Sequence, residues 1–432
     1  MKIGRVVVAG ALALGLGAVG WWAMAQTRPV AAVIATVPGM PSVADPANLY
    51  SETVAGKLSP TVRGALARVY VPNRRANSVS VIDPETLEVV DTFKVGRNPQ
   101  HVVPSWDLKT LWVANNAEGR TDGSLTPIDP WTGKPGAAIP VDDPYNVYWS
   151  PDGKSAIIVA EEHKRLDFRD PQTMRLQYSI ATPRCGGINH ADFAIDGTYA
   201  LFTCEFDGAV TKIDLVNRAV LGTLTLSPYY QRPDVVAQLT ALEKKKSQLI
   251  TTQQVVVQEG FELGGAICTA RGMPQDVRVS PDGTTFFVAD MLADGVHVVD
   301  GASFKQIGFI PAGVGTHGLY PSRDGKSLYV ANRGTNKMIG PKHGKGSVSV
   351  IDFATRKVVK TWPIPGGGSP DMGNVSADGK YLWLSGRFDD VVYRFETTTG
   401  AVDKIKVGRE PHGLAVWPQP GRYSLGHTGN LR

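Results

Sequence analysis

The sequence predicts an all-β protein: a seven-bladed β-propeller closed by its C-terminal strand and carrying one helical insertion. Three observations lead there. The hexapeptide SVSVID occurs at 78–83 and again at 347–352. It belongs to a strand pattern that recurs seven times. The first copy of that pattern lacks an opening strand, and the end of the chain supplies one.

The recurring copies are GSLTPID (123–129), KRLDFRD (164–170), GAVTKID (208–214), DGVHVVD (294–300) and DVVYRFE (390–396), beside the two SVSVID segments. Each follows a second element: RVYVPN, TLWVANN, SAIIVAE, YALFTCE, TFFVADM, SLYVANR or YLWLSGR. Apolar residues alternate in both, as half-buried strands require. An Asp-Gly pair precedes five of the second elements, at Asp152, Asp196, Asp282, Asp324 and Asp378, and Asp107 holds the same place without its glycine. Asp-Gly between such runs signals a hairpin, since both residues tolerate positive φ. Four strands per unit, repeated at this interval, indicate a propeller rather than a sandwich.

The first unit starts at ARVYVPN with its second strand, whereas PHGLAVWP (411–418) matches the first strands elsewhere, such as THGLYPS (316–322). The C-terminal strand is therefore expected to complete the first blade, which removes an open sheet edge. One interval is too long, from Asp196 to Asp282. Residues 227–271 are expected to form an insertion: a helix over 233–249, with Val235, Val236, Leu239 and Leu242 on one face, then a short strand in QQVVVQEG (253–260). An eighth, degenerate blade is the alternative.

Outside the repeat, Lys2 and Arg5 precede an apolar stretch that ends in Ala-Met-Ala at 23–25. This reads as a secretory signal peptide over 1–25, with a tether and lead-in at 26–66, the propeller at 67–418 and a tail at 419–432. An uncleaved anchor is the competing reading; with cleavage, no membrane span remains and the protein is periplasmic or extracellular. GLGAVG at 15–20 lies inside the signal with no strand before it, so it is not a dinucleotide motif. Three cysteines, Cys185, Cys204 and Cys268, allow one disulfide in an exported chain. Cys268 is expected as one member, paired with Cys185 or Cys204. No C-x-x-C-H is present, which excludes a covalently attached c-type haem. The formal charge of +5 is mild, and no basic run suggests nucleic acid.

The segments YVAN (329–332), YVPN (70–73), WVAN (112–115) and FVAD (287–290), with SVSVID and SPDG, resemble the YVTN-repeat β-propellers. The resemblance spans about residues 67–418 and implies the fold and a secreted or surface location, but no activity. Related seven-bladed folds bind haem, or copper through histidines, or act as sugar lactonases. These are analogies of fold, and one fold hosts many chemistries.

Ligands of propellers sit at a channel mouth, so the residues that enter it matter most. Six before each turn Asp stand His101, Asn146, His190, Asp276, Gly318 and Met372; seven before stand Gln100, Tyr145, Asn189, Gln275, His317 and Asp371. In the last strand His412 matches His317. Nine after each Asp stand Asn116, Glu161, Glu205, Met291, Arg333 and Arg387, with Arg74 equivalent in the first blade. His101, His190, His317 and His412 are candidate metal or haem ligands, because imidazole ligates both. The plainer reading of Pro-His-Gly is turn chemistry. Arg74, Arg333 and Arg387, with His317 and His412, form a candidate site for an anionic ligand, possible cofactors included, since guanidinium binds carboxylate and phosphate bidentately. A tetrapyrrole bearing carboxylates, with an imidazole as axial ligand, fits that description. No G-x-S-x-G elbow is present. A lactonase-type metal centre would draw on Glu161, Glu205, Asp276 and Asp371, which fall in different registers. The leading expectation is a binding protein for a small anionic ligand or a periplasmic protein partner, rather than an enzyme; a redox propeller and a metal-dependent hydrolase are the alternatives.

Overall fold

The computed structural model describes residues 33–249, 261–263, 266–427 and 429–432. Val33–Arg432 is one compact unit. Its main body is seven four-stranded sheets, each antiparallel. Blade 1 joins Arg68–Asn73, Ser78–Ile82 and Val89–Lys94 to Ala415–Trp417. Blades 2 to 7 follow at 99–140, 144–181, 188–225, 274–311, 316–363 and 370–406. The first strands of successive blades touch all round the ring and line a central channel. They are buried at every position, whereas an outer strand such as Val89–Lys94 alternates between exposed and half-buried.

Closure runs as the sequence predicts. Arg68, Val69 and Tyr70 pair with Trp417, Val416 and Ala415, so the C-terminal strand completes blade 1. The repeat has a side-chain reason as well. Asn73 Nδ2 donates to Ser78 Oγ at 3.2 Å and Ser80 Oγ at 3.0 Å. Asn332 Nδ2 donates to Ser347 Oγ and Ser349 Oγ at the same two distances. The Asn that ends the second strand thus binds both serines of SVSVID in the third. Each buried amide needs partners, and the serine alternation supplies them.

The Asp-Gly turns differ from the expectation in one respect. Only the glycine takes positive φ, as at Gly153 (71°) and Gly325 (67°). The aspartate instead bonds locally: Ser150 Oγ donates to Asp152 Oδ1 at 2.6 Å, and Asp152 Oδ1 also accepts from Lys154 N. The pair is a side-chain-closed turn followed by a left-handed residue.

The insertion holds the expected helix, Pro233–Leu249. Of its predicted apolar face Leu239 is buried and Leu242 exposed. Phe261–Leu263 pairs with Ala266–Cys268, a two-stranded ladder rather than an eighth blade. The strand expected at 253–260, like the signal peptide at 1–25, lies outside the described residues. Residues 33–66 pack along the propeller: Leu49 and Tyr50 join the core of blades 4 and 5, and Tyr50 Oη donates to Val279 O at 2.6 Å. Among the described residues, no helix is long and apolar enough to cross a membrane.

Candidate functional site

The first strands carry a shared irregularity. Their pairing with the second strand slips between Pro99 and His101, Pro144 and Asn146, Ile188 and Ala191, Pro274 and Val277, Thr316 and Leu319, and Pro370 and Gly373. A bulge breaks the alternation of side chains and re-aims one of them. Both members of several pairs therefore reach across to other blades instead of pointing to opposite faces. Tyr145 and Asn146 of blade 3 contact His101 and His190 respectively. Asp371 and Met372 of blade 7 both contact His317 of blade 6.

At one end of the channel lies a cluster of arginines. Arg74, Arg333 and Arg387 are all buried. Asp371 Oδ2 accepts from Arg387 Nη1 at 3.4 Å, and Arg333 Nε lies 3.5 Å from Asp371 Oδ1. Arg74 reaches Glu118 and, at 3.3 Å, Glu410. Arg333 Nη1 also meets the Met291 sulfur at 3.0 Å, and its guanidinium lies 4.9 Å from the centre of the Phe388 ring. His317 Nδ1 stands 3.1 Å from Asp371 Oδ1, and His412 Nε2 3.6 Å from Asp371 Oδ2. Four of the five residues expected at the anion site are thus brought together around the Asp371 carboxylate, while Arg74 lies against Glu118 and Glu410.

Burial lowers two of these cations, while Asp371 and Glu410 raise Arg387 against its own burial. Burial, with the neighbouring Arg387 and Arg74, pulls Arg333 down to about 10 against the opposing pull of Asp371. Burial and Arg387 lower Arg74 likewise. Across the channel, Glu205 accepts from Gln275 Nε2 at 3.0 Å and Asn189 Nδ2 at 3.1 Å. Burial raises Glu205, and burial plus the charge of Glu205 raises Glu161 well above the carboxylate range. Asp276, proposed with them for a carboxylate-metal centre, instead binds Arg278 at 2.9 Å.

Deeper in, three imidazoles face one another. His101 comes from the first strand of blade 2, His190 from that of blade 4, and His427 from the C-terminal tail. One ligand nitrogen from each lies within 4.8 Å of the others. All three are 0% exposed. Burial holds His101 down at about 3, and burial holds His190 and His427 well below their ordinary range. Of the four histidines expected as metal ligands, His101 and His190 stand in this trio. His317 and His412 stand beside it, the His412 ring 4.8 Å from that of His101. His412 Nδ1 donates to Gln100 O at 3.1 Å, which aims Nε2 toward Asp371.

The tail builds the far wall. Tyr423 and Leu425 pack into the core between blades 3 and 4, and Leu431 into that of blades 1 and 2. Trp149 N donates to Leu425 O, and Asn430 Nδ2 to Ala191 O at 2.8 Å. Arg432 Nη2 bonds Asp192 Oδ1 at 2.6 Å. Gly426 is obligatory, because a Cβ there would lie 2.5 Å from Tyr148 Cα. His427 belongs to no repeat, so no register points to it.

The cysteine expectation is corrected. Cys185 is bonded to Cys204, not to Cys268. Ile188 pairs with Cys204, so the loop that carries Cys185, three residues before the first strand of blade 4, lies beside the end of the second strand. The bridge braces the segment that carries Asn189 and His190.

No protein-family profile matches the chain, and no curated protein does. Solved structures match its fold. A functionally unknown protein from Desulfotomaculum acetoxidans aligns at TM-score 0.57 and 13% identity, over 81% of this chain and 99% of that one. A putative 6-phosphogluconolactonase from Bacteroides uniformis aligns at 0.56 and 16%, over 81% and 99%. The dihydro-heme d1 dehydrogenase NirN in complex with DHE aligns at 0.52 and 14%, over 81% and 75%. At these identities the likeness is one of fold: this chain is a seven-bladed β-propeller.

Proposed function

We propose that the protein is an exported YVTN-type propeller that binds a small anionic ligand at the arginine end of its channel. One observation carries the reading. Three buried guanidinium groups converge there, and Arg74 Nε, Arg333 Nε, Arg333 Nη2 and Arg387 Nε have no hydrogen-bond partner among the described protein atoms. Buried charged donors without partners are costly, and a carboxylate or phosphate would satisfy them bidentately. Their mutual repulsion favours the same ligand. Export is supported by the positive-then-apolar start of the chain and by the disulfide, which suits an oxidising compartment. The mature chain then begins at Gln26, which intact mass decides.

The test is ligand binding itself. Inorganic phosphate, small dicarboxylates and a carboxylate-bearing tetrapyrrole are titrated against the protein and followed by thermal shift; the NirN complex is the reason for including the tetrapyrrole. One of these should raise the melting temperature, and Arg333→Gln with Arg387→Gln should abolish the rise. Each lost charged hydrogen bond costs about 1.5–3 kcal/mol of binding. An equal rise in the double variant, or none in the wild type with any probe, overturns the reading.

A further inference from the structure

We propose that His101, His190 and His427 form a binding site for one divalent first-row transition-metal ion, completed by the C-terminal tail. The site adjoins the arginine cluster, whose His412 ring lies 4.8 Å from that of His101, but its ligands are other residues and it does not depend on the anionic ligand. Three features of the trio lead to it.

The first is shape. The ring centres form a near-equilateral triangle, 5.1 Å from His101 to His190, 4.7 Å from His101 to His427 and 4.5 Å from His190 to His427. Nitrogens bound to one ion at about 2.1 Å cannot be more than about 4.2 Å apart, so small ring rotations complete the approach from 4.8 Å.

The second is unmet bonding. Both ring nitrogens of His101, both of His427 and Nε2 of His190 are buried without a hydrogen-bond partner among the described protein atoms. A purely structural histidine core would pair these atoms, as buried polar groups generally are paired. His190 Nδ1 does have a neighbour, Asn146 Nδ2 at 3.2 Å. Ligation through Nε2 puts the proton on Nδ1, so the amide must turn to offer its oxygen and give up the bond that Oδ1 accepts from Val147 N at 2.9 Å.

The third is origin. The ligands come from two blades and from a tail loop whose ends are fixed by Leu425 N donating to Asn430 O and Asn430 N donating to His427 O. Gly413 and Gly426 are shaped around this packing: a Cβ on the first would strike His101, and on the second the Tyr148 backbone. The rings are thus held by the rigid body of the propeller, the arrangement a preorganised site requires. A three-imidazole set leaves further coordination positions open, the pattern of a metal that meets a ligand rather than one that only staples the fold. Imidazole suits zinc, copper, iron and nickel, and among divalent ions Cu2+ should bind tightest.

The experiment uses the full mature chain with its disulfide intact and the exposed His163 and His343 changed to Gln to remove background sites. After chelation and dialysis against Cu2+, one copper per chain is expected, with nitrogen hyperfine structure from imidazole in its electron paramagnetic resonance spectrum. His427→Gln should weaken copper more than the roughly 10–100-fold typical of losing an outer partner. Circular dichroism checks that this variant folds, and His190→Gln serves if it does not. Sub-stoichiometric uptake, a spectrum without imidazole nitrogen, or unchanged affinity in a folded His427→Gln or His190→Gln protein overturns the proposal and makes the trio a water-bridged core cluster. Thermal shifts with anions are read in parallel on metal-free protein, so a failure here is distinct from a failure of the arginine site.

Discussion

Gly413 leaves the space that the His101 ring fills: a Cβ on Gly413 would come within 1.9 Å of His101 Nδ1. The backbone of Gly413 is fixed there too, with its N donating to Gln100 O and its O accepting from Val102 N. The Pro-His-Gly of the last strand therefore does more than turn the chain. Its histidine faces Asp371, and its glycine seats the histidine of the next blade.

Gly413→Ala should therefore destabilise the protein by about 1–3 kcal/mol, the usual cost of overpacking. Because the clash is with one ring, adding His101→Ala should recover much of the loss. A double-mutant cycle from urea unfolding measures this, and additive losses would mean the strain lies elsewhere.

Asp294 gives a pH prediction. Burial, assisted by Asp290, raises its carboxyl to about 6. An unfolded aspartate titrates near 3.9, so the folded state holds the proton more tightly. The stability it contributes is complete below about pH 4 and is lost as pH rises through 6. Asp294→Asn removes the charge while keeping an acceptor for Gly315 N, which Asp294 Oδ1 binds at 2.7 Å. Asn also suits the backbone there: Asn77, its counterpart in blade 1, takes φ 52° beside 55° at Asp294 and binds Asn98 N in the same way. The variant should melt above the wild type at pH 8 and match it at pH 4. Thermal melts at several pH values check the convergence.

Deleting 411–432 should strip blade 1 of its fourth strand and expose unpaired edges. The expected product aggregates, as size-exclusion chromatography would show. A monomer with unchanged melting temperature would contradict closure by this strand.

Replacing both Cys185 and Cys204 by Ser should cost about 2–4 kcal/mol, given a loop of 19 residues. Thiol titration of the oxidised, unfolded wild type should find one free thiol, that of Cys268.

The fold was legible because a propeller repeats its side-chain chemistry. Asn73 with Ser78 and Ser80, and Asn332 with Ser347 and Ser349, are the same contacts written twice. The channel residues were legible for the same reason: counting from Asp152 or Asp324 finds the same structural place in each blade. His427 was not, because YSLGHTGNLR occurs once and its position depends on contacts with Trp149, Ala191 and Asp192 far away in sequence. The cysteine pairing turned on geometry that no spacing reveals, the cross-strand neighbourhood of Ile188 and Cys204.

The strand Ala415–Trp417 sets a timetable. The three strands of blade 1 are finished at Lys94, and their fourth follows about 320 residues later. At synthesis rates of roughly 5–20 residues per second, that wait is on the order of twenty seconds to a minute. Until it ends, blade 1 lacks its innermost strand and the ring has no closing contact. A ring that closes only when Ala415–Trp417 arrives keeps the inner edge of its first blade unpaired through that wait.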